Sequence, residues 1–397
     1  MKSRFLKYHQ ANLPSARRKV LLTALLILLA GGVAAGQGAG RAAEPTGDIR
    51  NVHDPTVIEE AGRFYLFSTR AGLSVRCSDD LVRWRLCGDV FGHLPQWAVD
   101  EVPGLRGLWA PDISYFNGRY HLYYSASTFG SNRSAIGLAT NLTLDPSGES
   151  YAWKDQGKVI GSSGSDDWNA IDPNLVLDEA GQPWLSFGSF WGGIKLRKID
   201  PATGKLSKED ETLYPLASRP RSKELPGAVE APAIVRRAGH YYLFVSFDFC
   251  CRGVRSTYHV RVGRSRRVTG PYADRSGRLM TEGGGTLVIE GGGRWAGPGH
   301  CAVLQTKGGD KLVYHAYDAE WRGTPTLRIR DLHWDREGWP TLSPPAPPAD
   351  EGQALRTSIP LATKGATDSC EAPRSVMRTS TPSIGQIRAE AMAPSLL

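Results

Sequence analysis

Past its first 43 residues, this sequence lacks any excess of charge of one sign. The whole chain has 397 residues, with 48 Lys and Arg against 40 Asp and Glu. Seven of the basic residues and none of the acids fall in residues 1–43, which leaves 41 basic against 40 acidic side chains. A body so close to neutral gives no global electrostatic case for nucleic acid or an acidic polymer as partner. After the N-terminal segment there is no second stretch apolar enough to span a bilayer. The six cysteines include no CxxC pair and no zinc-ligand spacing. Amphipathic helical periodicity is also nearly missing, so strands must build the fold.

The basic stretch "MKSRFLKYHQANLPSARRK", the apolar "VLLTALLILLAGGVAA" and the small residues after it predict an export signal over residues 1–43, cleaved near residues 35–43. Arg17-Arg18 ahead of the apolar run fits the twin-arginine route and an ordinary basic n-region equally. The cysteines suit an oxidising compartment. Cys77 and Cys87 flank "SDDLVRWRL", a turn and strand that a cross-hairpin bridge could span, whereas a bond between the neighbours Cys250 and Cys251 would be strained and uncommon. Residues 346–397 are Pro-, Ser- and Ala-rich without periodicity and read as a disordered tail in which Cys370 has no partner.

Five stretches align by eye: "HDPTVIEEAGRFYLFST", "APDISYFNGRYHLYYSA", "IDPNLVLDEAGQPWLSFGS", "EAPAIVRRAGHYYLFVSF" and "GHCAVLQTKGGDKLVYHAY". Each opens on a polar ionisable residue, usually beside proline. A short apolar strand, a turn containing Gly and an aromatic-rich strand follow, which is a β-hairpin. The leading residues Asp54, Asp112, Asp172, Glu230 and His300 are spaced by 58, 60, 58 and 70. A period near 60 has room for about four strands, and radial four-stranded sheets make a propeller. The fold predicted is all-β, a five-bladed β-propeller over residues 44–345. A lone Asp-Pro reads as a turn with its Asp extended. Acids at equivalent places in several blades converge on one mouth of the central channel instead, and make a site.

Asp54, Asp172 and Glu230 then suit glycoside hydrolysis. That reaction needs one protonated and one ionised carboxyl group, and a third acid can raise the pKa of the donor. Trp109, Phe129, Phe190 and Trp191 lie at or beside blade ends, where aromatic faces stack on sugars, and Asn169 and Ser189 are small polar neighbours suited to hydroxyls. Asp112 matches no catalytic place and is expected to bond backbone at a blade start. His315 and Asp318 are candidates for supporting roles, with His315 reading first as a satisfied inner-strand histidine.

The motifs "NVHDPTV", "LWAPDI", "NAIDPNL", "SFGSFWGGI", "VEAPAI", "FDFCCRGVRSTYHVRVGRSRRVTGPY", "GPGHCAV" and "YHAYD" resemble those of family 43 glycoside hydrolases, and within them the endo-acting α-L-arabinanases, over nearly all of residues 48–345. The resemblance implies that Asp54 is the general base and Glu230 the general acid, with Asp172 tuning pKa and orienting substrate. It also implies a calcium ion held near the axis by His300, with Cys301 standing where an Asn is expected. The implied reaction is inverting hydrolysis of arabinan by a monomer that is secreted or periplasmic and keeps no stable membrane contact after signal removal. An exo-acting arabinofuranosidase or xylosidase of the same fold is an alternative. So is a non-catalytic sugar-binding propeller, though a lectin has no need to keep three carboxylates together.

Overall fold

The computed structural model describes residues 43–222 and 226–342. The export segment through residue 42 and the tail with Cys370 lie outside the described residues. Among the described residues, twenty-one strands form five sheets. The first blade is β2 (Thr56–Glu60), β3 (Arg63–Ser68), β4 (Ser74–Ser78) and β5 (Arg83–Asp89), edged by β1 (Thr46–Gly47) parallel to β5. After the short helix α1 (Gln96–Glu101) comes the second blade, β6 (Leu108–Phe116), β7 (Arg119–Ala126), β8 (Ser134–Asn141) and β9 (Lys154–Ser162). The third holds β10 (Asn174–Leu177), β11 (Pro183–Phe187), β12 (Ile194–Lys198) and β13 (Tyr214–Ala217). The fourth holds β14 (Val229–Arg237), β15 (His240–Phe247), β16 (His259–Ser265) and β17 (Thr286–Ile289). The fifth holds β18 (Trp295–Thr306), β19 (Gly309–Asp318), β20 (Thr324–Trp334) and β21 (Pro340–Thr341).

Period-two alternation explains why the second strand of each blade is apolar on both faces. In β15, Tyr241, Leu243, Val245 and Phe247 pack towards the third blade, while Tyr242 and Phe244 pack towards the fifth. The same sharing occurs at every blade boundary, so five apolar clusters alternate with five sheets around the ring. The last boundary sets Leu66 and Trp84 against Val313 and Leu327. There the chain ahead of β2 runs along β20: Leu327 N–H donates to Ile49 O at 2.8 Å and Val52 N–H to Pro325 O at 3.2 Å. The hairpin turns use left-handed pairs, as at Asn117 (φ 48) and Gly118 (φ 74), whose twist matches that of the flanking strands.

One expectation about the inner strands changes. The residue before each proline is left-handed, not extended: Asp54 has φ 52, Ala110 φ 42, Asp172 φ 57 and Ala231 φ 54, with His300 at φ 46 in the fifth blade. The equivalent positions are therefore Asp54, Ala110, Asp172, Ala231 and His300. Asp112 sits two residues late and Glu230 one residue early. Registers of β6, β14 and β18 shift across this point, which makes it a bulge that re-aims side chains. A left-handed non-glycine residue costs about 1–2 kcal/mol. A bond to each of these amides offsets part of it. Asp54 N–H donates to His315 Nδ1 (3.2 Å), Ala110 N–H to Thr69 Oγ1 (2.8 Å), Asp172 N–H to Ser125 Oγ (2.9 Å), Ala231 N–H to Asp172 Oδ2 (3.0 Å) and His300 N–H to Ser246 Oγ (2.8 Å).

Asp112 does bond backbone at a blade start. It is buried, and accepts from Leu175 N–H at 2.8 Å, Asn174 Nδ2 at 3.1 Å and Thr56 Oγ1 at 3.4 Å, tying three inner strands together. Burial pushes its pKa up to about 7 against these bonds. Cys77 and Cys87 are joined across β4 and β5. The neighbours Cys250 and Cys251 are joined as well, despite the rarity of that pairing, and Cys301 is a buried free thiol.

Candidate active site

The bulges bring three carboxylates from blades one, three and four around one imidazole from blade five. Asp54, Asp172 and Glu230 are all buried, and His300 acts electrostatically on each. Asp54 is the most heavily bonded. Its Oδ1 lies 2.6 Å from His53 Nδ1 and 3.1 Å from His300 Nδ1, and its Oδ2 accepts from Thr69 Oγ1 at 2.6 Å. A carboxylate has about four lone-pair positions, so one remains for a water. Burial raises the pKa of Asp54, but the charges and hydrogen bonds of His53 and His300 outweigh it and hold the group well below the usual range.

His53 is held from its far side as well. The Tyr317 hydroxyl lies 2.8 Å from His53 Nε2 and accepts from Cys251 N–H at 2.7 Å, which leaves His53 Nδ1 facing Asp54. His315 stacks on His53 with ring centroids 3.9 Å apart. Its Nδ1 accepts the Asp54 amide, and its Nε2 is buried with no partner among the described residues, so it is an incompletely satisfied inner-strand histidine. Burial drives its pKa well down. Asp318 is not brought to the acids; it takes both arms of Arg294, at 2.8 and 2.6 Å.

Glu230 is bonded by hydroxyls. Ser189 Oγ donates to Oε2 at 2.5 Å, and the Tyr258 hydroxyl donates to Oε1. These bonds favour the charged form, yet burial dominates and the Glu230 pKa is raised. Asp172 is fastened through Oδ2 to the amide of Ala231, the residue after Glu230. Burial first, and then the charges of Glu230 and Asp54, push its pKa well up against the pull of His300. His300 rises to about 9, because Asp54, Asp172 and Glu230 together outweigh its burial.

Of the predicted sugar contacts, Trp109 occupies in blade two the place that Glu230 occupies in blade four, one residue before the bulge. Its ring lies 5.0 Å from that of Phe129, which is 75% exposed. Phe190 and Trp191 are both left-handed, at φ 53 and 38, and follow Ser189 directly; the Phe190 ring is 6.0 Å from Phe249. Asn169 is buried, with Oδ1 unpartnered among the described residues. Ser189 faces the acid. His53, Thr69, Tyr258 and Tyr317 were not singled out from sequence. His53 alone had a signal there, its place next to Asp54 in "NVHDPTV".

The donor set around His300 offers no cage for an ion. The His/Cys/Asp/Glu groupings with metal-like spacing among the described residues are His53 with Asp54 and His315, and His53 with Cys250 and Cys251. The first has its His315 Nδ1 taken by an amide, and the cysteines of the second are joined to each other. His300 turns Nδ1 to Asp54, and its Nε2 makes no hydrogen bond among the described residues. One imidazole nitrogen among three carboxylates fits a hydrated cation whose shell is mostly water.

The chain matches the description "Glycosyl hydrolases family 43" over residues 48–340. It is 47% identical over 295 residues to an extracellular endo-α-(1→5)-L-arabinanase of Bacillus subtilis, covering 73% of this chain and 87% of that one. It is 46% identical over 300 residues to an extracellular exo-α-(1→5)-L-arabinofuranosidase of Cellvibrio japonicus, covering 74% and 86%. Among solved structures it resembles a Cellvibrio cellulosa α-L-arabinanase complexed with arabinohexaose, with a TM-score of 0.71 and 45% identity over 74% of this chain and 96% of that one.

Proposed function

Because the chain belongs to family 43 of the glycosyl hydrolases, we propose that it is an exported, endo-acting hydrolase of α-1,5-linked L-arabinan that inverts the anomeric centre. The observation that carries this reading is the opposite tuning of two buried carboxyl groups in one cluster, Asp54 well below its ordinary pKa and Glu230 above it. That is the division between base and acid that glycoside hydrolysis requires. Asp54 Oδ2, which keeps the free lone pair, accepts a proton from water as the water oxygen bonds to the anomeric carbon. Glu230 gives its proton to the glycosidic oxygen as the carbon–oxygen bond breaks. His53, fixed by Tyr317, and Thr69 keep Asp54 ionised and aimed. Asp172 accepts the Ala231 amide and so ties its strand to the residue after Glu230, while burial and the charge of Asp54 favour the protonated donor.

Trp109, Phe129, Phe190 and Trp191 provide aromatic faces for the pentose chain, whereas Asn169 is buried and serves as a support behind them. His300 would hold calcium through Nε2 together with water. When bound, such an ion supplies beside the three carboxylates the positive charge that His300 otherwise supplies by protonation.

The relatives named extracellular, together with the signal-like N-terminus, support export to the medium or periplasm. A relative named as exo-acting, at nearly the same identity as the endo-acting one, favours exo cleavage as the second reading. Incubation of the purified protein with linear arabinan and with a nitrophenyl arabinoside separates them. Endo action produces oligosaccharides of mixed length and a rapid fall in viscosity, and leaves the small arabinoside nearly untouched. Exo action releases one product size from the start.

A further inference from the structure

We propose that Trp321 is a distal sugar platform on the rim of the channel, contacting a segment of the pentose chain beyond the reacting residues. This rests on the polysaccharide reading above and adds a binding position on the seam between blades five and one. Trp321 ends a single 3-10 turn, Ala319–Trp321, that follows β19. The indole is 46% exposed, and the guanidinium of Arg50 covers one of its faces at 3.2 Å from the ring centroid. The backing leaves the other face to solvent.

The turn is fixed from several sides. Asp318 accepts from Glu320 N–H at 3.0 Å and is clamped by Arg294. Trp321 O accepts from Thr324 Oγ1 at 2.7 Å. Gly323 lies so close to Gly253 that an added Cβ would meet Gly253 Cα at 2.7 Å, and Gly323 is left-handed at φ 75. Arg50 is equally anchored, its backbone bridged to Thr326 and its carbonyl accepting from Arg76 at 3.3 Å. An exposed indole with so little freedom loses little entropy when a ligand settles on it.

Its position relates it to the cluster. Trp321 is four residues beyond Tyr317, and Arg50 three before His53, two residues joined by a 2.8 Å hydrogen bond beside Asp54. At 3.3–3.6 Å per residue at most, the platform lies within roughly 15 Å of that pair. An oligosaccharide spanning the mouth reaches that far, whereas a monosaccharide unit at the acids does not. A neutral pentose chain suits the surface: its C–H faces meet the electron-rich ring, and no charge on it opposes Arg50.

The test compares the wild type with Trp321→Ala and Trp321→Phe on arabino-oligosaccharides of increasing length and on linear arabinan, alongside retardation in gels containing arabinan. We expect Trp321→Ala to raise KM roughly two- to tenfold on long chains only, with kcat and melting temperature unchanged. Trp321→Phe should restore part of the loss. An unchanged KM on polymer, or an equal rise at every chain length, overturns the platform. Absence of arabinan cleavage by the wild type refutes the substrate reading instead. Gel retardation then still decides for Trp321: retention lost in Trp321→Ala upholds the platform, and equal mobility of the two proteins in arabinan overturns it.

Discussion

Replacing Tyr258 by Phe removes one hydroxyl and leaves the buried ring, against which Gly299 packs so closely that an added Cβ would lie 2.3 Å away. The lost group donates to Glu230 Oε1. Burial first, and then Glu230, push the pKa of Tyr258 itself well up, so it remains a protonated donor throughout any assay range. Its bond stabilises the ionised form of Glu230, and its removal must raise the Glu230 pKa further. A hydrogen bond to a charged group is worth about 1.5–3 kcal/mol. At about 1.4 kcal/mol per pKa unit, the rise is roughly one to two units. The general acid works only while protonated, so the alkaline limb of kcat/KM moves towards higher pH by that amount. The acidic limb, set by Asp54, stays in place. The assay is kcat/KM against pH on an unactivated arabino-oligosaccharide, where proton donation limits the rate. Ser189→Ala, which removes the donor to Oε2, moves the limb in the same direction. An alkaline limb that stays fixed or moves towards acid in Tyr258→Phe would refute Glu230 as the group that titrates there.

Other outcomes follow from the same cluster. Asp172→Asn removes a group whose charged form burial already disfavours, so the alkaline limb of the pH–rate profile moves far less than in Tyr258→Phe. Chelation, or His300→Ala, lowers activity while circular dichroism shows the fold intact; full activity in a chelated, metal-free sample would remove calcium from the account. Mature protein from medium or periplasm starts between about residues 35 and 45 by N-terminal sequencing, and intact Met1 in the membrane fraction would make the segment an anchor.

Much of this was legible in the sequence because the propeller repeats itself. A period near 60 residues, hairpins with Gly turns and acids beside proline are enough to place Asp54, Asp172 and Glu230 around one channel. The register was harder to read. Aligning acid with acid put Asp112 beside Asp54, whereas the backbone aligns proline with proline and makes Ala110 the counterpart. The ordinary preference of a residue before proline is extended, and only the amide acceptors supplied by neighbouring strands, such as Ser125 for Asp172, make the left-handed state favourable. Those acceptors, and the hydroxyls of Thr69, Ser189 and Tyr258, come from adjacent strands or blades and follow no spacing along the chain. The Cys251–Tyr317–His53–Asp54 chain of bonds joins three distant segments, so nothing local announces it.

The unequal roles of the carboxylates are tested by Asp54→Ala and Glu230→Ala. Each loses roughly a hundredfold to ten-thousandfold in rate, but only the Glu230 loss shrinks on a substrate with a good leaving group. The most direct measurement is the anomeric form of the first product, followed by NMR as linear arabino-oligosaccharide is cleaved. A base acting through water inverts the centre, so the initial product is the β-anomer, which then mutarotates. An initial α-anomer would mean retention, with Asp54 attacking carbon directly, and would contradict the account.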